Sequence, residues 1–210
     1  MSQGEENYWD NFYSFIEKTD NKMPPSQFAA FCRLELVHLN INQLIEIAAG
    51  EGRDSIFFAS QGIQTIALDK SSEAVNFLKK RISHNKNVLI LKIDAVNEDL
   101  PTPKFKDQAC AYYARFFLHT LEENHLIKFF EKLSSSMKKN DVFFTEYRDD
   151  NDENLDKTMP DHFRKFYTSH FVNKLANQNR MKCIYEISGK GFAKWGIEDA
   201  FVTRQVFIKE

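Results

Sequence analysis

The sequence predicts an α/β domain: a Rossmann-like, doubly wound sheet, mostly parallel, with a C-terminal antiparallel strand and two N-terminal helices ahead of it. Three observations predict it. From residue 43 onward, apolar runs of strand length alternate with helical stretches, the pattern of a parallel sheet covered on both faces. The first strand runs through a glycine-bearing turn directly into a helix, where such sheets bind their ligands. The last two strands are separated only by Ser188–Ala200, a connection that suits an antiparallel return better than a helical crossover.

Taken in order, Tyr8, Trp9, Phe12, Phe15 and Ile16 recur at helical spacing over residues 5–18. Polar residues and the pair Pro24-Pro25 then break the pattern. Ser26 reads as the N-cap of a second helix, Phe28–Leu39. The alternating plan predicts strand Gln43–Ala48, helix Asp54–Gln61, strand Gln64–Leu68, helix Ser72–His84 and strand Val88–Ile93. Strand Gln108–Tyr113, helix Glu122–Ser135, strand Asp141–Tyr147, helix Ser169–Asn179 and strands Lys182–Ile187 and Phe201–Ile208 complete it. Right-handed crossovers restrict the topology. The polar run Asp149–Thr158 reads as the most flexible loop.

Composition narrows the function classes. A chain of 210 residues, 42% hydrophobic and 28% charged, has an ordinary globular balance and can bury a sizeable core in one domain. A formal net charge of −2 gives no electrostatic reason to bind bulk nucleic acid or an anionic membrane. No apolar run approaches the roughly 20 residues that span a bilayer, and the polar, acidic start Met1–Asp10 does not read as a signal peptide. A cytoplasmic location is expected. Cys32, Cys110 and Cys183 are widely spaced in apolar surroundings and read as reduced thiols; with no CxxC or HxxxH spacing, no metal site is expected. Usage rich in Phe, Lys and Asn and poor in Gly and Pro fits an AT-rich bacterial genome.

Three segments carry chemistry. In Ile45-Glu46-Ile47-Ala48-Ala49-Gly50-Glu51-Gly52-Arg53-Asp54, Gly50 and Gly52 let the backbone approach a ligand closely. A phosphate on the helix N-terminus is one reading of such a turn, but Glu46 and Glu51 disfavour a pyrophosphate. Glu46 instead suits the ammonium of an amino-acid moiety. In Thr65-Ile66-Ala67-Leu68-Asp69-Lys70-Ser71, Asp69 ends the second strand, where a carboxylate accepts ribose hydroxyls; it also suits an N-cap. In Lys92-Ile93-Asp94-Ala95, Asp94 and the Ala95 N–H lie at the rim where an adenine would sit, although an Asp there is often a turn residue.

In this order and spacing the three segments resemble the cofactor signature of the class I S-adenosylmethionine-dependent methyltransferases. E-I-A-A-G-E-G-R-D-S is similar to the E-x-G-x-G-x-G-R-D form of the tellurite-resistance and thiopurine methyltransferase branch, over roughly residues 41–148. Ala48 stands where that form has its first glycine. Y-W-D-N-F-Y, P-S-Q-F-A, Y-A-R-F-F-L-H, E-Y-R-D and D-H-F-R-K resemble, over nearly the whole chain, a bacterial methyltransferase subfamily associated with surface-glycan biosynthesis. The resemblance implies S-adenosyl-L-methionine as cofactor and S-adenosyl-L-homocysteine as product. It implies a helical lid over residues 1–40 ahead of a Rossmann-like domain over 41–210, with Tyr8, Trp9, Phe12, Tyr13, Ser26 and Phe28 near the cofactor. Glu46, Ala48, Gly50, Gly52, Arg53 and Asp54 would line the first turn, Asp69, Lys70 and Ser71 the second, and Asp94 and Ala95 the third. Ala114 and Arg115 close the set from the end of the fourth strand.

Methyl transfer is an in-line displacement in which the protein supplies orientation and, where needed, a base. Candidates at the ends of the fourth and fifth strands are Arg115, His119, Glu146, Tyr147 and Arg148; the following loop adds His162, Arg164 and Lys165. Arg115, Glu146, Arg148 and Arg164 read as substrate-binding, because guanidinium groups grip carboxylates and phosphates bidentately. The competing reading pairs Arg115 or Arg148 with Glu146, and Arg164 with Asp161. His119 and His162 are the candidate general bases, with a structural cap as the alternative for His119. The function expected is methyl transfer, directed to oxygen, on a small anionic metabolite or glycan precursor. A nicotinamide-dependent oxidoreductase would use the same turn, but Glu46, the Asp94 segment and the terminal hairpin argue against it. A non-catalytic adenosyl-cofactor binder is favoured only by Ala48. A nucleic-acid methyltransferase is disfavoured by the charge balance and by the lack of an Asn-Pro-Pro-Tyr-type motif.

Overall fold

A computed structural model of the chain describes residues 24–82, 85–155, 157, 163–195 and 198–210. Its centre is a seven-stranded sheet. Parallel strands β1 (Gln43–Ile47), β2 (Gln64–Asp69), β3 (Val88–Lys92), β4 (Ala111–Arg115) and β5 (Val142–Arg148) come first in the chain. Strand β6 (Met181–Gly189), a short hairpin of β7 (Lys194–Trp195) and β8 (Glu198–Asp199), and β9 (Val202–Lys209) follow. The order across the sheet is β3-β2-β1-β4-β5-β9-β6, and β9 runs antiparallel to both neighbours. The expected fold class is therefore the observed one. Strand order reverses between β1 and β4, so their carboxyl ends flank the switch point where ligands bind.

Among the described residues, five α-helices cover the sheet: α1 (Gln27–His38), α2 (Arg53–Ser60), α3 (Ser72–Ile82), α4 (Glu123–Ser136) and α5 (Ser169–Gln178). Strand residues alternate between the two faces. Leu44, Ala111, Tyr113, Val142, Phe144 and Val206 pack with Phe28, Ala29, Cys32 and Leu36 of α1 and Phe58 of α2. Ile45, Ile47, Tyr112, Ala114, Phe143, Tyr147 and Phe207 face Leu126, Phe129, Phe130 and Leu133 of α4 and Val172, Leu175 and Ala176 of α5. Burial on both faces is why β1, β4 and β5 read as nearly continuous apolar runs.

Several expectations need correcting. The helix assigned to a lid is α1, and Phe28, Ala29, Cys32 and Leu36 are fully buried beneath it. It is part of the core; the aromatic stretch at residues 5–18, the other part of the expected lid, lies outside the described residues. The fourth strand begins at Ala111, later than the apolar run suggested, and reaches Arg115 because that charge lies beside Glu146 in the β4–β5 register. The polar run after β5 is anchored at its start: Asp149 accepts from Thr203 Oγ1 at 2.6 Å and Asp152 from the Phe201 N–H at 2.7 Å. The β7–β8 hairpin was not anticipated. Among the described residues no helix is long and apolar enough to cross a membrane.

Candidate functional site

The turn after β1 is built from left-handed residues: Ala48, Gly50 and Gly52 have φ of 55°, 56° and 74°. Such angles cost an L-residue about 1–2 kcal/mol and glycine almost nothing. Gly52 is also required by space, since a Cβ there would lie 1.9 Å from Leu78 Cδ1 of α3. Ala48 bears its strain with its side chain on the exposed side of the turn.

The carboxylate of Asp69, at the end of β2, ties this turn to the next. Its Oδ2 accepts from the Gly50 N–H at 2.8 Å and its Oδ1 from the Ser71 N–H at 2.9 Å. Burial raises its pKa, and those backbone donors counter part of the rise. Ser71 in turn caps α3, its Oγ accepting from Ala74 N–H at 3.2 Å. After β3, Asp94 organises a turn of its own: Oδ1 accepts from Val96 N–H at 2.9 Å, Oδ2 from Asn97 Nδ2 at 2.8 Å, and its own N–H donates to Glu98 Oε1 at 2.8 Å. Asp94 is thus the turn residue that sequence reasoning weighed as the alternative, and Ala95 beside it is buried.

Two further carboxylates are buried below the first turn. Glu46 is 4% exposed, and among the described residues its side chain accepts only from Ser55 Oγ. Burial pushes its pKa well up, and nearby Asp54 pushes it further. Asp54 accepts from Ser26 N–H, Ser26 Oγ and Tyr113 Oη, each at 2.7 Å. Ser26, expected at the cofactor, therefore fastens α1 to α2, while also capping α1 through Ala29 N–H. Arg53 Nε is 3.9 Å from Asp54 Oδ1.

On the other side of the switch point the arginines are engaged by the chain's own carboxylates. Glu146, with no exposed surface, accepts from Arg115 Nε at 2.8 Å and from Arg204 Nε at 2.7 Å. Arg204 also donates to Phe192 O at 2.9 Å and stacks over the rings of Phe28 and Phe192. Arg148 donates to Asp152 Oδ2 at 2.7 Å and to Glu198 Oε1. Arg164 is likewise engaged within the chain. Internal pairing, the competing reading, is what Arg115 and Arg148 show: a buried guanidinium needs a fixed counter-charge, and β5, β8 and the turn after β5 supply it. Arg115 keeps its terminal nitrogens without a donor bond to any described residue, its side chain 16% exposed.

Phe116 is the residue on which this half converges. Its φ of 54° is unusual for a bulky side chain. The Arg115 guanidinium stands 4.1 Å above its ring, that of Arg148 5.6 Å, and His119 meets it edge-on at 5.5 Å. His119 is 2% exposed, and its Nδ1 accepts from the Arg148 N–H at 3.2 Å. That bond leaves the proton of a neutral ring on Nε2. His119 is thus a brace between β4 and β5, and the general-base expectation for it finds no support in this geometry. Lys165 N–H donates to the His119 carbonyl at 2.8 Å.

The structure gathers Glu46, Ala48, Gly50, Gly52, Arg53, Asp54, Asp69, Lys70 and Ser71 around the β1 and β2 ends, with Asp94 and Ala95 beside them. Phe28 and Ala114 are both fully buried and pack against opposite sheet faces. Tyr8, Trp9, Phe12, Tyr13 and His162 lie outside the described residues. Sequence reasoning missed Tyr113, Phe116, Phe192, Glu198 and Arg204. Of these only Arg204, a charge inside an apolar final strand, carried a signal.

Residues 44–140 match the family model described as a methyltransferase domain. No curated protein matches the chain. Among solved structures, an S-adenosylmethionine-dependent methyltransferase from Clostridium acetobutylicum is 15% identical with a TM-score of 0.68, covering 97% of this chain and 99% of its own. The CcbJ methyltransferase from Streptomyces caelestis is 13% identical with a TM-score of 0.68, covering 89% of this chain and 90% of its own. The glycopeptide N-methyltransferase MtfA, complexed with S-adenosyl-L-homocysteine, is 11% identical with a TM-score of 0.68, covering 91% of this chain and 90% of its own.

Proposed function

We infer that this chain is an S-adenosylmethionine-dependent methyltransferase, a reading that its fold and the family match over residues 44–140 support, and that it transfers the methyl group to an oxygen of a small anionic metabolite or glycan precursor. The observation that carries the reading is the Asp69 carboxylate at the end of β2, hydrogen-bonded to Gly50 and Ser71 beside a turn of left-handed residues. A carboxylate has about four lone-pair positions, more than the backbone amides of Gly50, Lys70 and Ser71 fill, which leaves room for a ribose hydroxyl. The donor set fits the rest of the cofactor. Glu46 is a buried acid whose side chain, among the described residues, bonds only a hydroxyl, which suits an α-ammonium group. Ala95 N–H, with no acceptor among the described residues, suits an adenine nitrogen.

When bound, S-adenosylmethionine supplies an activated methyl carbon. The chain's own work is orientation and exclusion of water. Asp69 fixes the ribose, the Ala48–Gly52 turn lets the backbone come close, and Phe116 forms the floor between donor and acceptor. The free terminal nitrogens of Arg115 favour an acceptor with an anionic substituent. The resemblance of Y-W-D-N-F-Y and D-H-F-R-K to glycan-associated methyltransferases supports the precursor class. Calorimetry with S-adenosylhomocysteine and with NAD tests the core of this reading: the first is expected to bind and the second not, and the reverse order would overturn it.

A further inference from the structure

We propose that Trp195, on the β7–β8 hairpin, is the acceptor-facing wall of the site and stacks on the flat face of the acceptor's ring; the proposal rests on the methyltransferase reading. The hairpin register pairs Lys194 with Asp199 and Trp195 with Glu198. Directly paired residues of antiparallel strands project from the same face, as do residues two apart on one strand. Trp195 and Glu198 therefore share one face.

That face is turned toward the site. Ala193 and Ala200 are buried in a cluster with Phe116, Phe192 and Val202. Glu198 reaches Arg148 at the carboxyl end of β5. Lys194 and Asp199 take the outer face, where Asp199 Oδ1 accepts from the Gly191 N–H at 2.7 Å. Glu198 on that face is held at Arg148, while Trp195 beside it is 45% exposed. The indole is thus an open surface next to a residue fastened at the carboxyl end of β5.

The hairpin is held firmly. Arg148 clamps Glu198 while bonding Asp152, and Arg204 holds the Phe192 carbonyl. Trp195 is thus presented on a fixed arm, as a stacking surface must be to keep ordering costs low. Its indole offers a large apolar plane. The matching chemistry is a six-membered ring with an apolar face, met either in a sugar or in an aromatic alcohol.

The test uses the full chain labelled with fluorotryptophan, which gives two fluorine resonances because the chain has 2 tryptophans. Trp195→Phe assigns the relevant one. S-adenosylhomocysteine is added first and its binding confirmed by calorimetry; methyl glucoside, catechol and ring-less glycerol are then titrated separately. The expected result is a saturable shift of the Trp195 resonance with methyl glucoside or catechol and none with glycerol, the responding probe identifying the ring type. Trp195→Ala is expected to weaken that probe by about tenfold, the worth of one aromatic stacking contact, with S-adenosylhomocysteine affinity unchanged. Binding of S-adenosylhomocysteine without any ring-dependent shift overturns the proposal, as does a shift that follows protein concentration, which would place Trp195 between copies of the chain. Failure of S-adenosylhomocysteine to bind overturns the methyltransferase reading and this inference with it.

Discussion

At the carboxyl ends of β1 and β2, buried acids stand with few cations: Glu46 meets a hydroxyl, Asp54 hydroxyls, an N–H and, at 3.9 Å, Arg53, and Asp69 backbone amides. At the ends of β4 and β5 the buried charges are matched within the chain, Glu146 by Arg115 and Arg204, Arg148 by Asp152 and Glu198. The first region is electrostatically unfinished, and the proposed cofactor, with its cationic amino group and diol, would complete it. The second is largely matched from within, which leaves the terminal nitrogens of Arg115 as its charge for recognition, and the proposal adds shape, through Phe116 and Trp195. Polar residues near a switch point are thus not equivalent: what matters is whether the chain has already supplied their partners.

The comparison can be broken most forcefully at Glu146. Glu146→Gln leaves Arg115 and Arg204 buried without a full counter-charge, and denaturant unfolding should show a loss of about 4 kcal/mol. A variant as stable as the parent would mean that the triad is not structural. Next comes Gly52→Ala, which drives a methyl into Leu78 and strains φ. We expect about 3 kcal/mol of destabilisation together with collapse of S-adenosylhomocysteine binding, readable in one thermal-shift titration.

Asp69→Ala sharpens the contrast, because it should weaken S-adenosylhomocysteine by about 1–3 kcal/mol while costing less stability than Glu146→Gln; equal affinity in calorimetry would remove Asp69 from the site. Glu46 supplies a pH test. Its proton is held more tightly in the folded chain than in the unfolded one, because of burial and Asp54. Raising the pH from the ordinary carboxylate range through the folded value therefore removes stability. Glu46→Gln should melt higher than the parent at neutral pH, lose that advantage in acid, and bind S-adenosylhomocysteine more weakly. A lower melting temperature at neutral pH would contradict an unfinished first region. The smallest effect is expected from Ala48→Gly, which relieves a left-handed alanine but loosens the unfolded chain, for a net gain of at most about 1 kcal/mol by chemical denaturation.

What was legible in the sequence follows the same division. Ser26 as an N-cap, the β1 turn and Asp69 are local signals, each set by residues a few positions apart, and all stand where the pattern put them. The partner of Glu146 is not local. Arg204 reaches it only because β9 inserts between β5 and β6 and aligns those two residues, and no periodicity announces that register. Tyr113 read as one more apolar strand residue, yet its hydroxyl reaches Asp54. The β7–β8 hairpin has strands of two residues each, too short for alternation to show. Phe28 and Ala114 were assigned by resemblance to a motif, which fixes where the backbone passes but not which way a side chain faces.

The grip of Asp69 on Gly50 also has a consequence for exchange with solvent. The Gly50 amide can trade its proton for deuterium only when the buried carboxylate lets go, so this turn should exchange slowly even without ligand. A ribose arriving at Asp69 has two routes. It can take the lone pairs that Gly50 and Ser71 leave unused, and Gly50 then stays protected or becomes more so. Or it can evict the amide, and Gly50 then exchanges faster in the complex than in the free protein. Deuterium uptake at this single amide, with and without S-adenosylhomocysteine, tells whether the cofactor is received by a finished cradle or by one that must first open.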